Sequence, residues 1–170
     1  MLVIMAGLPA SGKTTVARAL AADLGAVHLR IDTIEQAIVR AGTARHPVGV
    51  VGYVVGYALA ADLLRQGLSV VAESVNPLAE TRRAWRDVAR AAGVAHLDVE
   101  VVCSDRAEHE RRATTRVIDI PDLTPPTWAE IEAREYEPWD EPPCTVDTAR
   151  LSVAESVAQV RVRLRAASAG

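Results

Sequence analysis

Residues 7–14 read Gly-Leu-Pro-Ala-Ser-Gly-Lys-Thr, a G-x-x-x-x-G-K-[ST] spacing placed directly after the apolar run Leu2-Val3-Ile4-Met5-Ala6. Each fixed position has a chemical reason. Glycines at 7 and 12 let successive N–H groups turn inward as a nest for phosphate oxygens. Lys13 supplies a point charge for the terminal phosphates and Thr14 a hydroxyl for Mg²⁺, while a helix starting near Lys13 turns its positive end toward the anion. The positions expected to touch the phosphates are Gly7, Ala10, Ser11, Gly12, Lys13, Thr14 and Thr15. In this order of strand, loop and helix the motif is the Walker A phosphate-binding loop.

Holding a triphosphate is not yet a reaction. Transfer to an acceptor hydroxyl needs a base for its proton, and Asp32 stands at the carboxyl end of the second apolar segment, where a carboxylate would face the terminal phosphate. The same stretch, Asp32-Thr33-Ile34-Glu35, also reads as a helix N-cap with Glu35 at the third helical position. Glu73 closes the third apolar segment, a place suited to the Mg²⁺ shell, or is a simple polar strand end. Asn76 and Arg82 follow on that edge as candidate acceptor contacts, together with Tyr53 and Tyr57. Arg111, Arg112 and Arg116 are candidates for neutralising the charge on the transferring group, with a solvated helix face as their alternative. His28, His46, His96 and His109 are scattered, which argues against a histidine metal site.

These groups must be carried by alternating strands and helices. Helical spacing of Val16, Ala17, Leu20 and Leu24 predicts a first helix over 13–24, stopped by Gly25. A strand over 26–31 and a short helix over 33–41 follow. Residues 48–66 read as a helix despite Gly49, Gly52 and Gly56, because Tyr53, Tyr57 and Leu64 recur at helical spacing. A buried strand over 68–72 leads to Glu73. The helix over 78–92 is expected to turn Ala84, Val88, Ala91 and Ala92 inward and Arg82, Arg83, Arg86 and Arg90 mostly outward. A strand over 96–103 precedes a helix capped by Asp105 with Glu108. The stretch 118–143 is rich in proline and acid and reads as a surface excursion with one helix over 127–134, pinned by Trp128 and Trp139. A fifth strand over 144–147 and a helix over 152–165, with a Ser152/Glu155 capping box and Val153, Val157, Val160 and Leu164 inward, close the pattern. Alternation of this kind implies a three-layer α/β/α fold on a parallel sheet, with ligands at the carboxyl ends of the strands.

At 170 residues, 49% hydrophobic and 24% charged, the chain is read as one domain, 1–170, with a lid and acidic excursion at about 110–143. Phe is absent, so the core must be aliphatic. A net charge of −3 gives no electrostatic reason for nucleic-acid or membrane binding. The first apolar run lacks a basic leader, and the longest one, 48–61, is too short to span a bilayer, so a cytoplasmic location is expected. Cys103 and Cys144 have no paired spacing and read as core residues of a reducing compartment.

The phosphate loop, Asp32, the Glu73-Ser74-Val75-Asn76-Pro77 turn and the arginine run together resemble the small P-loop kinases of the nucleoside-monophosphate-kinase-like group. The chain looks most like the AAA_33 type, whose relatives include chloramphenicol phosphotransferase, gluconate kinase, polynucleotide kinase and zeta toxin. The resemblance implies a five-stranded parallel P-loop NTPase sheet of order 2-3-1-4-5, an arginine-bearing lid, and ATP with Mg²⁺ as donor. On matching positions it implies roles for Lys13, Thr14, Asp32 and an arginine among Arg111, Arg112 and Arg116, with Asp147 and Thr148 edging the adenine. Glu73 departs from the Asp common there. The expectation is an ATP-dependent kinase acting on a hydroxyl of a small molecule such as an antibiotic, nucleoside or sugar. Its alternatives are a nucleotide-binding regulator or slow NTPase without an acceptor, and a polynucleotide kinase, against which the acidic balance argues. The sequence leaves the acceptor and the oligomeric state open.

Overall fold

The computed structural model describes residues 1–168, so the last two positions of the 1–170 reading lie outside the described residues. In chain order the elements are β1 (Leu2–Ala6), α1 (Lys13–Leu24), β2 (Val27–Arg30), α2 (Ile31–Arg40), α3 (Val51–Arg65) and β3 (Val70–Glu73). Then come α4 (Ala79–Ala91), β4 (His96–Val102), α5 (Arg106–Thr115), α6 (Trp128–Glu132), β5 (Cys144–Asp147) and α7 (Val153–Ser168). The five strands form one parallel sheet of order β2-β3-β1-β4-β5, as the resemblance implied.

β1 is central and every one of its side chains is buried, which is why it reads as an unbroken apolar run. Its alternation divides the core into two layers. Val3 and Met5 pack with Val16, Leu20, Val101 and Val160 under α1 and α7. Leu2 and Ile4 pack with Ile31, Leu64, Trp85 and Ala89 under α3 and α4. Each such aliphatic side chain contributes roughly 1.5–3 kcal/mol relative to exposure, but the core is not purely aliphatic as expected: the fully buried Trp85 fills the layer under α3 and α4. Among the described residues no helix is long and apolar enough to cross a membrane.

Several expectations shift. α2 begins at Ile31, whose side chain is locked in the core, so its N-cap is Arg30 with no side-chain cap bond. Asp32 therefore lies inside the first turn and does not cap the helix, and the Asp32/Glu35 capping box does not form. α3 starts at Val51, three residues late, after a turn in which Gly49 has φ +70°. In α4 the inward stripe is Trp85 and Ala89, and Arg82 and Arg86 are buried beside them while Ala91 is exposed. Val153 is also exposed, at the first turn of α7, ahead of the buried Val160 and Leu164.

The buried arginines find partners far away in sequence. Arg86 pairs with Asp98 at 2.8 Å and with Asp140 at 2.9 Å. Arg82 is fully buried and donates to the carbonyls of Asn76, Pro77, Glu137 and Pro138, with its guanidinium stacked near the rings of Trp139 and Tyr136. The acidic excursion is thus fastened to α4. Its helix α6 carries a complete Thr127/Glu130 capping box and a buried Ile131, and Trp128 packs edge-on against His109.

Candidate active site

At the carboxyl ends of β1, β2 and β3 lies a cavity of about 1460 Å³. The phosphate loop forms one wall. Gly7 leaves β1 at φ +138°, and a Cβ there would meet the Val101 carbonyl oxygen at 2.2 Å, so the position admits only glycine. Ala10 at φ +65° and Gly12 at φ +92° complete the inward-turned backbone, and α1 starts with no side-chain cap on its free N–H groups. Ala10, Gly12, Lys13, Thr14 and Thr15 line the cavity; Gly7 and Ser11 stand behind them. The buried Ser11 hydroxyl has no hydrogen-bond partner.

Lys13 is only 7% exposed and makes no ion pair among the described residues. Burial lowers its pKa, and the charges of Glu73 and Asp32 oppose that shift only in part. A buried cation whose nearby carboxylates do not reach ion-pair distance, an orphaned hydroxyl and an uncapped helix start together fit a polyanionic phosphate chain.

Glu73 lies beside Thr14, whose hydroxyl donates to its Oε1. Its Oε2 is 2.7 Å from His28 Nε2 and 3.6 Å from Arg30 Nε, both on the neighbouring β2. Burial alone would raise this carboxyl. The His28 hydrogen bond, the Lys13 charge and the Thr14 hydroxyl outweigh it and hold Glu73 ionised. A hydroxyl and an ionised carboxylate are hard oxygen donors, so Thr14 and Glu73 fit Mg²⁺.

Asp32 and Glu35 share one face of α2 and both line the cavity. Neither carboxylate accepts a hydrogen bond among the described residues. Burial and the charge of Asp32 push Glu35 up to about 7, with Arg134 opposing. α3 makes the facing wall. A Cβ at Gly52 would meet Glu35 Cγ at 2.3 Å, so the glycine is what admits this side chain. Tyr53 and Tyr57 continue that wall. The Tyr53 hydroxyl accepts from the Asn76 amide at 3.2 Å, and the Tyr57 ring meets Trp85 edge-on at 4.6 Å.

Arg112 and Arg116 close the cavity over the loop. Arg112 is tied to Glu108 at 2.7 Å and to the Thr148 hydroxyl at 2.8 Å. Arg116 keeps a buried Nε without a partner; burial lowers its pKa and the Asp32 charge opposes this. Beside it Asp119 reaches back from the excursion to Arg18 at 2.6 Å and Arg30 at 3.0 Å.

Besides Gly7, Ser11 and Glu73, which do not themselves line it, five expected contacts lie outside this cavity. Arg82 is occupied by four carbonyls and cannot reach it. Asn76 is fully buried with its amide on the Met5 carbonyl. Arg111, 62% exposed, is bidentate to Glu108 on the outer face of α5. Asp147 caps the turn that follows β5, accepting from Ser104 N and Ala149 N. Thr148 supports the loop from beneath, its hydroxyl 2.7 Å from the Ser11 carbonyl.

The residues not anticipated are Glu35, His28, Arg30, Arg18 and Asp119. Three of these had a signal in sequence: Glu35 lies one helical turn beyond Asp32, and His28 and Arg30 alternate on a strand whose register sets Arg30 against Glu73.

A family model described as an AAA domain, AAA_33, matches residues 2–134, and the chain belongs to that family. No curated protein matches the sequence significantly. Among solved structures, Chaetomium thermophilum Kti12 in complex with ADP-AlF3 is 23% identical, with full coverage of both chains and a TM-score of 0.72. The Mycobacterium tuberculosis APS kinase CysC with AMPPNP and APS is 22% identical over 96% of each chain, TM-score 0.70. A gluconokinase from Sinorhizobium meliloti 1021 is 17% identical over 98% of this chain and 93% of its own, TM-score 0.63. These likenesses establish the P-loop fold.

Proposed function

We propose that this chain is an ATP-dependent phosphotransferase that moves the γ-phosphate to a hydroxyl of a small molecule. The observation that carries the reading is an Asp32 carboxylate, free of hydrogen bonds, in one cavity with the phosphate loop and within electrostatic reach of Lys13 and Arg116. A nucleotide clamp or slow NTPase has no use for the second half of that cavity, walled by Tyr53 and Tyr57. The nucleotides in the CysC and Kti12 structures support ATP as donor.

In this reading Lys13 and the loop N–H groups hold the donor's phosphates. Thr14 and Glu73 would hold Mg²⁺, which supplies charge neutralisation on the phosphate oxygens. Asp32 accepts the acceptor hydroxyl's proton as the new O–P bond forms and the bond to the departing ADP oxygen breaks. Arg116, with Arg112 behind it, offsets the charge on the equatorial oxygens. Residues 1–170 act as one domain with 110–143 over the donor. Two free buried cysteines fit a cytoplasmic enzyme.

Asp32→Asn tests the assignment. Asp32 caps nothing, so the variant should melt within about 2 °C of the parent and bind ATP equally, yet transfer phosphate at least roughly 10²-fold more slowly. Unaltered turnover would remove Asp32 from the chemistry.

A further inference from the structure

We infer that the acceptor is an amino alcohol: its hydroxyl goes to Asp32 and its ammonium group to Glu35. This rests on the phosphotransferase reading and narrows its substrate class.

Behind the acceptor wall lie two groups that would ordinarily bind an anion, and the chain itself occupies both. Arg82 gives its donors to four backbone carbonyls. The N-terminus of α4 is closed by Glu137, whose Oε2 accepts from the Ala79 amide at 2.5 Å. The remaining cations of the cavity lie on the donor side: Lys13 in the loop, Arg18 and Arg30 on Asp119, Arg112 on Glu108 and Thr148, and Arg116 beside them. Asp32 faces Lys13 and Arg116 from the other side, and beyond it stand Glu35, Glu80 and Glu130, with Arg134 the cation that acts on Glu35. An anionic acceptor would meet Glu35, Glu80 and Glu130 beside Asp32, against Arg134 as the guanidinium on that side without a side-chain hydrogen bond or ion pair among the described residues.

Glu35 is the group that gives this side a specific ligand. Its place between α2 and α3 is built, because Gly52 leaves room that any other residue would fill. Its carboxyl has no hydrogen-bond partner, and its proton affinity is raised by burial and by Asp32. A group with those properties is stabilised by an arriving cation. At a spacing of i and i+3 the two carboxylates are neighbours on one helix face, which suits an ammonium close to the reacting hydroxyl.

The test measures ADP release and phosphorylated product with matched acceptors: amino sugars and amino cyclitols, their N-acetyl forms, and the corresponding uronic acids. The expected result is a kcat/KM about tenfold or more higher for the amine than for its N-acetyl form, with no transfer to the uronic acid. Glu35→Gln should collapse that preference to within about twofold, through the KM of the amine, with its kcat little changed. Preference for the uronic acid, or a Glu35→Gln enzyme that keeps the amine preference, overturns this inference and leaves the kinase reading standing. ATP binding with no transfer to any member counts against the kinase reading beneath it.

Discussion

Replacing Glu35 by Gln should make the protein more stable at high pH and leave it unchanged at low pH. The carboxyl is pushed up to about 7 from an ordinary 4.5, first by burial and then by the charge of Asp32. Below pH 4.5 it is protonated in folded and unfolded chains alike and the shift has no consequence. Between 4.5 and 7 the unfolded chain releases the proton while the folded one keeps it, so stability falls as pH rises. Above 7 the folded protein carries the full penalty of an ionised carboxylate beside Asp32. At 1.36 kcal/mol per pH unit the gap between the two values corresponds to about 3 kcal/mol. Glu35 is only half-buried, and solvent screening reduces this to the order of 1 kcal/mol. Gln keeps the shape and removes the charge. In paired thermal melts without nucleotide, Glu35→Gln should match the parent at pH 4.5 and melt roughly 2–4 °C higher at pH 8. An equal difference at both pH values would mean that the effect does not come from titration of Glu35, and a less stable variant at pH 8 would mean that Glu35 has a counter-ion.

Two further substitutions separate structure from chemistry. Arg82→Met removes four donated hydrogen bonds and two ring contacts from a buried staple and should cost about 3 kcal/mol or more, read as a melting temperature lower by roughly 10 °C; a normal melt with a raised acceptor KM would return Arg82 to the acceptor site. Lys13→Met should leave the nucleotide-free protein as stable or about 1 kcal/mol more stable, because burial of the charge outweighs its attraction to Glu73 and Asp32, and should abolish the rise in melting temperature that ATP gives the parent; a destabilised nucleotide-free variant would show that Lys13 is held by the fold.

What was legible in the sequence follows the range of the forces involved. The phosphate loop could be read because its constraints are local: the backbone at Gly7 and Gly12, and the strand and helix on either side, all lie within twenty-four residues. The sheet order could be read because strand–helix alternation and the resemblance permitted little else. The arginines could not be sorted by type or helical phase, since Arg82 and Arg116 look equally suited to an anion. Arg82 is separated from the site by partners that arrive 55 and 56 residues later in the chain. Arg116 keeps a buried Nε for which the described residues supply no acceptor. The role of an arginine in this fold is thus decided by whether the chain has already provided its oxygens. By the same rule, applied with the sign reversed, Glu35 and Asp32 are cavity carboxylates with capacity left for a ligand, whereas Glu137, Asp140 and Asp147 are held by the chain's own donors.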